Sequence, residues 1–253
     1  MLDRQALRLA ATLSFVGLWV FFVAGYFHVD RYDANNHVAA FADYADSGVW
    51  ILAHLGQFAG MALINSGLIA LYFALNLESG RAQWVSRFAA IAALCSLALY
   101  GVLQAVDGVA LKHAVDAWAR AAEAEKPLRF AAAEAVRWLE WGVRSYQSFV
   151  LGLAFLLFAG AISGTAQLPR LLGYLMGLSG LAYLAQGWFI GCEGFSAHNI
   201  APTLLGWASM LGWSLWLLIL AWRMKERAAT SQQLGHAPFP AAQLQPKAQR
   251  RSA

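Results

Sequence analysis

Ionisable and amide side chains set inside apolar runs are the residues of this sequence with the chemistry to bind or react. His54, Gln57, Met61 and Asn65 follow one another at i, i+3, i+7 and i+11, which is one face of a helix. Gln104 and Asp107 share a face at i, i+3, and Lys112, Asp116 and Arg120 continue at four-residue steps. Arg137, Glu140, Arg144 and Gln147 form a third stripe, and Ser179, Tyr183 and Gln186 a fourth. The segment "GCEGFSAHN" then brings Glu193 and His198 into a tight loop, with Asn199 placed to cap the following helix and Pro202 in its first turn.

Such groups are costly in a bilayer, about 2.5–3.5 kcal/mol for an Asp, Lys or Arg at a helix centre, so each is expected to face its neighbours and find a partner. Arg144 needs a carboxylate, and Asp107 should lie at similar depth. A guanidinium fork suits bidentate pairing, so the expected core of the site is an Asp107–Arg144 ion pair joined by Glu140, itself four residues before Arg144. His54, an imidazole that titrates near neutrality, is a candidate proton carrier or ligand group. Gln57 and Gln186 complete the predicted cluster, with Glu193 and His198 near its mouth.

Metal and cofactor patterns are weak. The chain has no H-x-x-x-H, H-E-x-x-H or C-x-x-C, no Walker loop, no G-x-S-x-G and no dinucleotide fingerprint. Five of its six His fall on the same predicted side as Asp30, Asp33, Asp43 and Asp46, but those Asp read as solvated caps. No metal and no cofactor is expected; haem would need paired inward His, and His54 has no evident mate. Cys95 and Cys192 should sit at different depths, so no disulfide between them is expected.

The elements that position these residues follow from composition. Of 253 residues, 60% are hydrophobic and 13% charged, about half the charged fraction of a soluble domain. Six apolar runs are each long enough to cross a hydrocarbon core of about 30 Å as helices: 7–26, 49–75, 85–111, 141–163, 168–190 and 201–222. They lack the two-residue alternation of barrel strands. Gly56 and Gly60 make a small-xxx-small pair for close helix contact. The predicted fold is all-α: a six-transmembrane-helix bundle over residues 1–222, with an external helical hairpin around Pro127 and a disordered tail over 223–253. The ladder of Lys112, Asp116 and Arg120 reads as the solvated surface of that hairpin.

Arg4, Arg8, Arg81, Arg87, Arg170, Arg223, Lys225 and Arg227 lie on one set of ends, which places both termini in the cytoplasm by the positive-inside rule. The modest net charge of +4 gives topology rather than a nucleic-acid footprint.

The segments "HLGQFAG", "GVLQAVDGVALKHAVDAW", "AVRWLEWGVRSYQSFVLGLAFLLFAGAI" and "QGWFIGCEGFS" resemble a bacterial family of multi-pass integral membrane proteins of unknown function. The resemblance runs from about His54 to Ser196. It implies a helical inner-membrane protein and carries no catalytic residues with it.

The function expected from these residues is binding or transport of a small molecule or ion at the cluster of His54, Gln57, Asp107, Glu140, Arg144, Gln186, Glu193 and His198. One alternative is an intramembrane metal-assisted hydrolase, for which His54, His198 and Asp107 are the available ligand set. The other is a structural or partner-binding subunit in which the cluster only fixes packing. The lipid bilayer is the expected partner, nucleic acid is not, and the oligomeric state stays open.

Overall fold

The computed structural model describes residues 2–28 and 31–224. The tail read from the sequence, apart from Arg223 and Met224, lies outside the described residues, as does Asp30. The described chain is helical: α1 (Arg4–Tyr26), α2 (His37–Asp46), α3 (Trp50–Leu75), α4 (Arg81–Gln104), α5 (Lys112–Ala119), α6 (Lys126–Ser163), α7 (Arg170–Glu193) and α8 (Ile200–Arg223). A π-helical segment, Ala105–Leu111, joins α4 to α5, and a short 3₁₀ turn, Ala197–Asn199, leads into α8. Six helical rods are long and apolar enough to cross a membrane.

These rods pack in a closed ring. α1 packs on α3, α3 on α4, α4 on α6, α6 on α7, α7 on α8, and α8 returns to α1. The ring has an apolar exterior as well as a mainly apolar core, with a minority of polar side chains turned inward. Leu9, Trp19, Val23, Phe73, Phe88 and Leu181 are exposed on the outside, whereas His54, Asn65, Asp107, Arg137, Glu140 and Gln147 are buried. That is the arrangement a bilayer selects, since lipid solvates apolar side chains and polar ones must turn inward.

The α1–α3 contact depends on small residues. A Cβ built on Gly60 would stand 2.6 Å from the Phe21 nitrogen and 2.8 Å from the Gly17 carbonyl oxygen, so the two backbones meet there directly. The ring is closed at α8 by an edge-to-face contact of Phe22 with Trp207, centroids 5.6 Å apart.

Two rods are far longer than a bilayer needs: Arg81–Ala119 has 39 residues and Lys126–Ser163 has 38. At 1.5 Å per residue each reaches roughly 55–60 Å, so the hairpin they form stands clear of a ~30 Å hydrocarbon core by several turns. Pro127 lies in the first turn of α6, where its missing N–H is harmless.

The stem of this hairpin carries α2. Ala40, Phe41 and Tyr44 of α2 pack with Trp50, Leu111, Val115 and Ala133 in one buried apolar cluster. Lys112 is not the solvated rung expected from its spacing. Its Nζ donates to the Tyr44 and Ala45 carbonyls and to Asp116 Oδ1, each at 2.9 Å, which ties α5 to the C-terminal end of α2. At the other end the Asn36 side chain accepts from the Ala39 N–H, and His37 Nδ1 lies 2.8 Å from Glu134 Oε1. Asp43, expected as a solvated cap, is buried and pairs with Arg31 at 3.3 Å.

Candidate functional site

At the α2 end of the ring lies a cavity of about 790 Å³, within the size range of small-molecule sites. Its walls come from α1, α3, the π segment, α6 and α8. Phe21, Phe22, Leu204 and Trp207 make much of its surface apolar; Gln57, Asp107, Arg137, Arg144 and Thr203 bring polar groups to it.

One wall centres on His54. Five contacts fix this imidazole. Its Nδ1 lies 2.8 Å from the Trp50 carbonyl oxygen one helical turn back, and a carbonyl only accepts, so Nδ1 carries the proton and donates. Its Nε2 lies 3.2 Å from Asp107 Oδ2. Its ring stacks near Trp50, centroids 4.4 Å apart, and faces His28 at 5.0 Å. Gly108 lies under it: a Cβ there would stand 2.7 Å from His54 Cβ, so only glycine admits the imidazole at this depth.

The π segment explains why Asp107 can reach. Wider π turns leave backbone carbonyls without their α-helical partner, and such bulges recur at functional sites. Here the Asp107 carbonyl accepts from Trp50 Nε1 at 3.1 Å, which ties α3 to the π segment next to the carboxylate. His54, Trp50 and Asp107 therefore form one cross-braced unit between two helices.

A second buried unit sits on α6. Arg137 Nη1 lies 3.0 Å from Glu140 Oε2, and both side chains are almost wholly buried. Arg137 also donates to the Tyr44 hydroxyl at 3.2 Å, and its guanidinium lies 5.1 Å from the centre of the Phe195 ring. Arg137 thus links α6 to α2 and to the α7–α8 loop. Asn35 braces the same loop, donating to the Glu193 carbonyl and accepting from the Phe195 N–H, both at 2.9 Å.

The pairing differs from that read in the sequence. Asp107 pairs with His54 rather than Arg144, and Glu140 pairs with Arg137 three residues before it rather than with Arg144 four residues after. Arg144 lines the cavity, partly exposed, and has no hydrogen bond or ion pair among the described residues. The second imidazole that His54 lacked in the sequence is His28, its ring 5.0 Å away, and the carboxylate partner of His54 is Asp107.

The remaining predicted residues divide. Gln57 faces the cavity. Gln186 lies behind its wall, donating to Thr203 Oγ1 at 2.7 Å and accepting from Ser148 at 3.3 Å. Its helix face is occupied as the spacing implied, with Ser179 on Ser209 and Tyr183 on Met210. Glu193 and His198 pair with each other at 2.7 Å on the surface, with His198 71% exposed, so His198 does not join His54 and Asp107 as a ligand set. Asn199 lines the cavity, and its Oδ1 accepts no hydrogen bond among the described residues, so it is not the cap of α8.

His28, Tyr44, Trp50 and Arg137 belong to the site but not to the set chosen from the sequence. Arg137 was visible in the α6 stripe. His28 lies just past the first apolar run, where spacing alone says nothing of direction.

Comparison with protein-family models, with curated proteins and with solved structures returns no match for this chain. What the fold and site define is a six-span helical membrane protein with a largely apolar cavity, carrying a few charged and amide groups, opening at one end of the ring.

Proposed function

We propose that the protein binds a small amphipathic anion in this cavity, as a binding protein or carrier of an inner membrane. The observation that carries the reading is Arg144, a guanidinium on the cavity wall with no hydrogen bond or ion pair among the described residues. A cation held next to Phe21, Phe22, Leu204 and Trp207 calls for a ligand with an anionic head and an apolar body. Gln57 and Thr203 add neutral hydrogen-bonding groups to the same wall.

The Arg-rich ends of the rods support cytoplasmic termini, and the cavity then opens on the opposite side. The sequence resemblance supports a bacterial inner membrane.

Decanoate is a suitable probe, with decanol and inorganic phosphate as partial mimics. Equilibrium binding to the detergent-purified full chain should show decanoate bound at least tenfold more tightly than either. Arg144→Gln should abolish that preference for the carboxylate over the alcohol. Equal binding of decanoate by wild type and Arg144→Gln removes the basis of this reading.

A further inference from the structure

We infer that His28, His54 and Asp107 form a binding site for one divalent transition-metal ion of the zinc class, with a further coordination position facing the cavity. One ligand-capable atom from each residue lies within 4.8 Å of the other two. Zinc binds nitrogen and oxygen ligands at about 2.0–2.2 Å, so neighbouring ligands of a tetrahedral ion stand roughly 3.4 Å apart. The 3.2 Å between His54 Nε2 and Asp107 Oδ2 fits such an edge. His28 has its ligand atom within 4.8 Å of both, so a side-chain adjustment brings it to the same centre.

The hydrogen-bonding of His54 is the second observation. Its Nδ1–H is committed to the Trp50 carbonyl, so in the neutral ring Nε2 presents a lone pair. That lone pair faces a carboxylate oxygen at 3.2 Å, a contact that becomes attractive when a cation, a proton or a metal ion, sits between the two atoms. A ligand imidazole whose far N–H is held by a backbone carbonyl is the usual outer-shell arrangement of a metal site.

The third observation is Asp107 itself. Its side chain is nine-tenths buried, lines the cavity, and its Oδ1 has no hydrogen-bond partner among the described residues. The scaffold is braced, because Trp50 binds the Asp107 backbone and Gly108 seats the His54 ring. Two imidazole nitrogens and one carboxylate oxygen, with a position left for water or ligand, are a donor set that zinc-class ions accept. An anion held on Arg144 could supply that last oxygen. That last oxygen alone depends on the ligand proposed above; the metal site does not.

The test uses the full chain, purified in detergent with an affinity tag that contains no His. After stripping with a chelator, the protein is titrated with Zn²⁺ and with Co²⁺. Wild type should take up one ion per chain, and the Co²⁺ form should show the intense visible bands of a low-coordinate site. His54→Gln and Asp107→Asn should each weaken uptake at least tenfold and remove the bands. His113→Gln, an exposed imidazole on the hairpin, should match wild type, as should Arg144→Gln, which separates this site from the anion reading. If His54→Gln and Asp107→Asn fail to fold, the wild-type titration decides. Absence of saturable one-to-one uptake by wild type overturns the inference and leaves an imidazolium–carboxylate pair. So does uptake unchanged in folded His54→Gln and Asp107→Asn.

Discussion

At the scale of residues, the site is organised by which charges are close enough to share a proton or an ion. Asp107 lies 3.2 Å from His54 Nε2, and Glu140 lies 3.0 Å from Arg137. Groups in contact are energetically coupled, typically by about 0.5–3 kcal/mol in a double-mutant cycle. His54→Gln and Asp107→Asn should therefore show a coupling within that range when unfolding is measured in detergent. Asp107→Asn with Arg144→Gln should show a smaller one. A larger coupling for Asp107 with Arg144 would restore the pairing that helical spacing first pointed to. Arg144 was legible as the unusual cation of its span, but not that it makes no direct ion pair with a carboxylate among the described residues. Spacing fixes the face a residue occupies, while the choice between Arg137 and Arg144 as the partner of Glu140 rests on side-chain direction and on what Tyr44 and Phe195 offer Arg137.

At the scale of elements, the π segment Ala105–Leu111 is what brings Asp107 and Gly108 against Trp50 and His54 of α3. It turns the Asp107 carbonyl to Trp50 and lays Gly108 against His54. Gly108→Ala would put a Cβ 2.7 Å from His54 Cβ and force the two rods apart or the ring out. Overpacking of this kind costs about 1–3 kcal/mol. The variant should melt lower in detergent and bind less Zn²⁺ or Co²⁺ than wild type. Gly142→Ala on α6, where a Cβ meets nothing within 4 Å, should be neutral or slightly stabilising because alanine is the better helix former. Equal effects of the two substitutions would show that the contact with His54 is unimportant. The hydropathy of α4 gave no warning of a π turn, because composition does not report a one-residue change in helical winding. The small-residue contact of α3 was visible as Gly56 and Gly60, though its partner, Gly17 and Phe21 of α1, was not.

At the scale of the whole molecule, the closed ring α1–α3–α4–α6–α7–α8 places the cavity at one end, next to α2 and the α7–α8 loop. Orientation in the membrane can be read with the native cysteines. Cys192 is exposed near the end of α7 that leads into that loop, and Cys95 is exposed within α4, on its apolar surface. A membrane-impermeant maleimide applied to intact cells should label Cys192 and leave Cys95 unlabelled. Labelling of Cys192 only after the cells are opened would place the cavity mouth in the cytoplasm and reverse the proposed topology.

The sequence by itself determined the solvent, the number of rods and the faces that must turn inward. Hydrophobic length and helical period are local properties, and a bilayer leaves an isolated apolar run of some twenty residues few alternatives to a helix. Only the tertiary structure decided which inward groups meet. The ring order sets the neighbours of each rod, one π turn sets the rotation of Asp107, and the docking of α2 sets where Tyr44 meets Arg137 and His28. Those contacts join residues far apart in the chain, and no periodicity within a single helix encodes them.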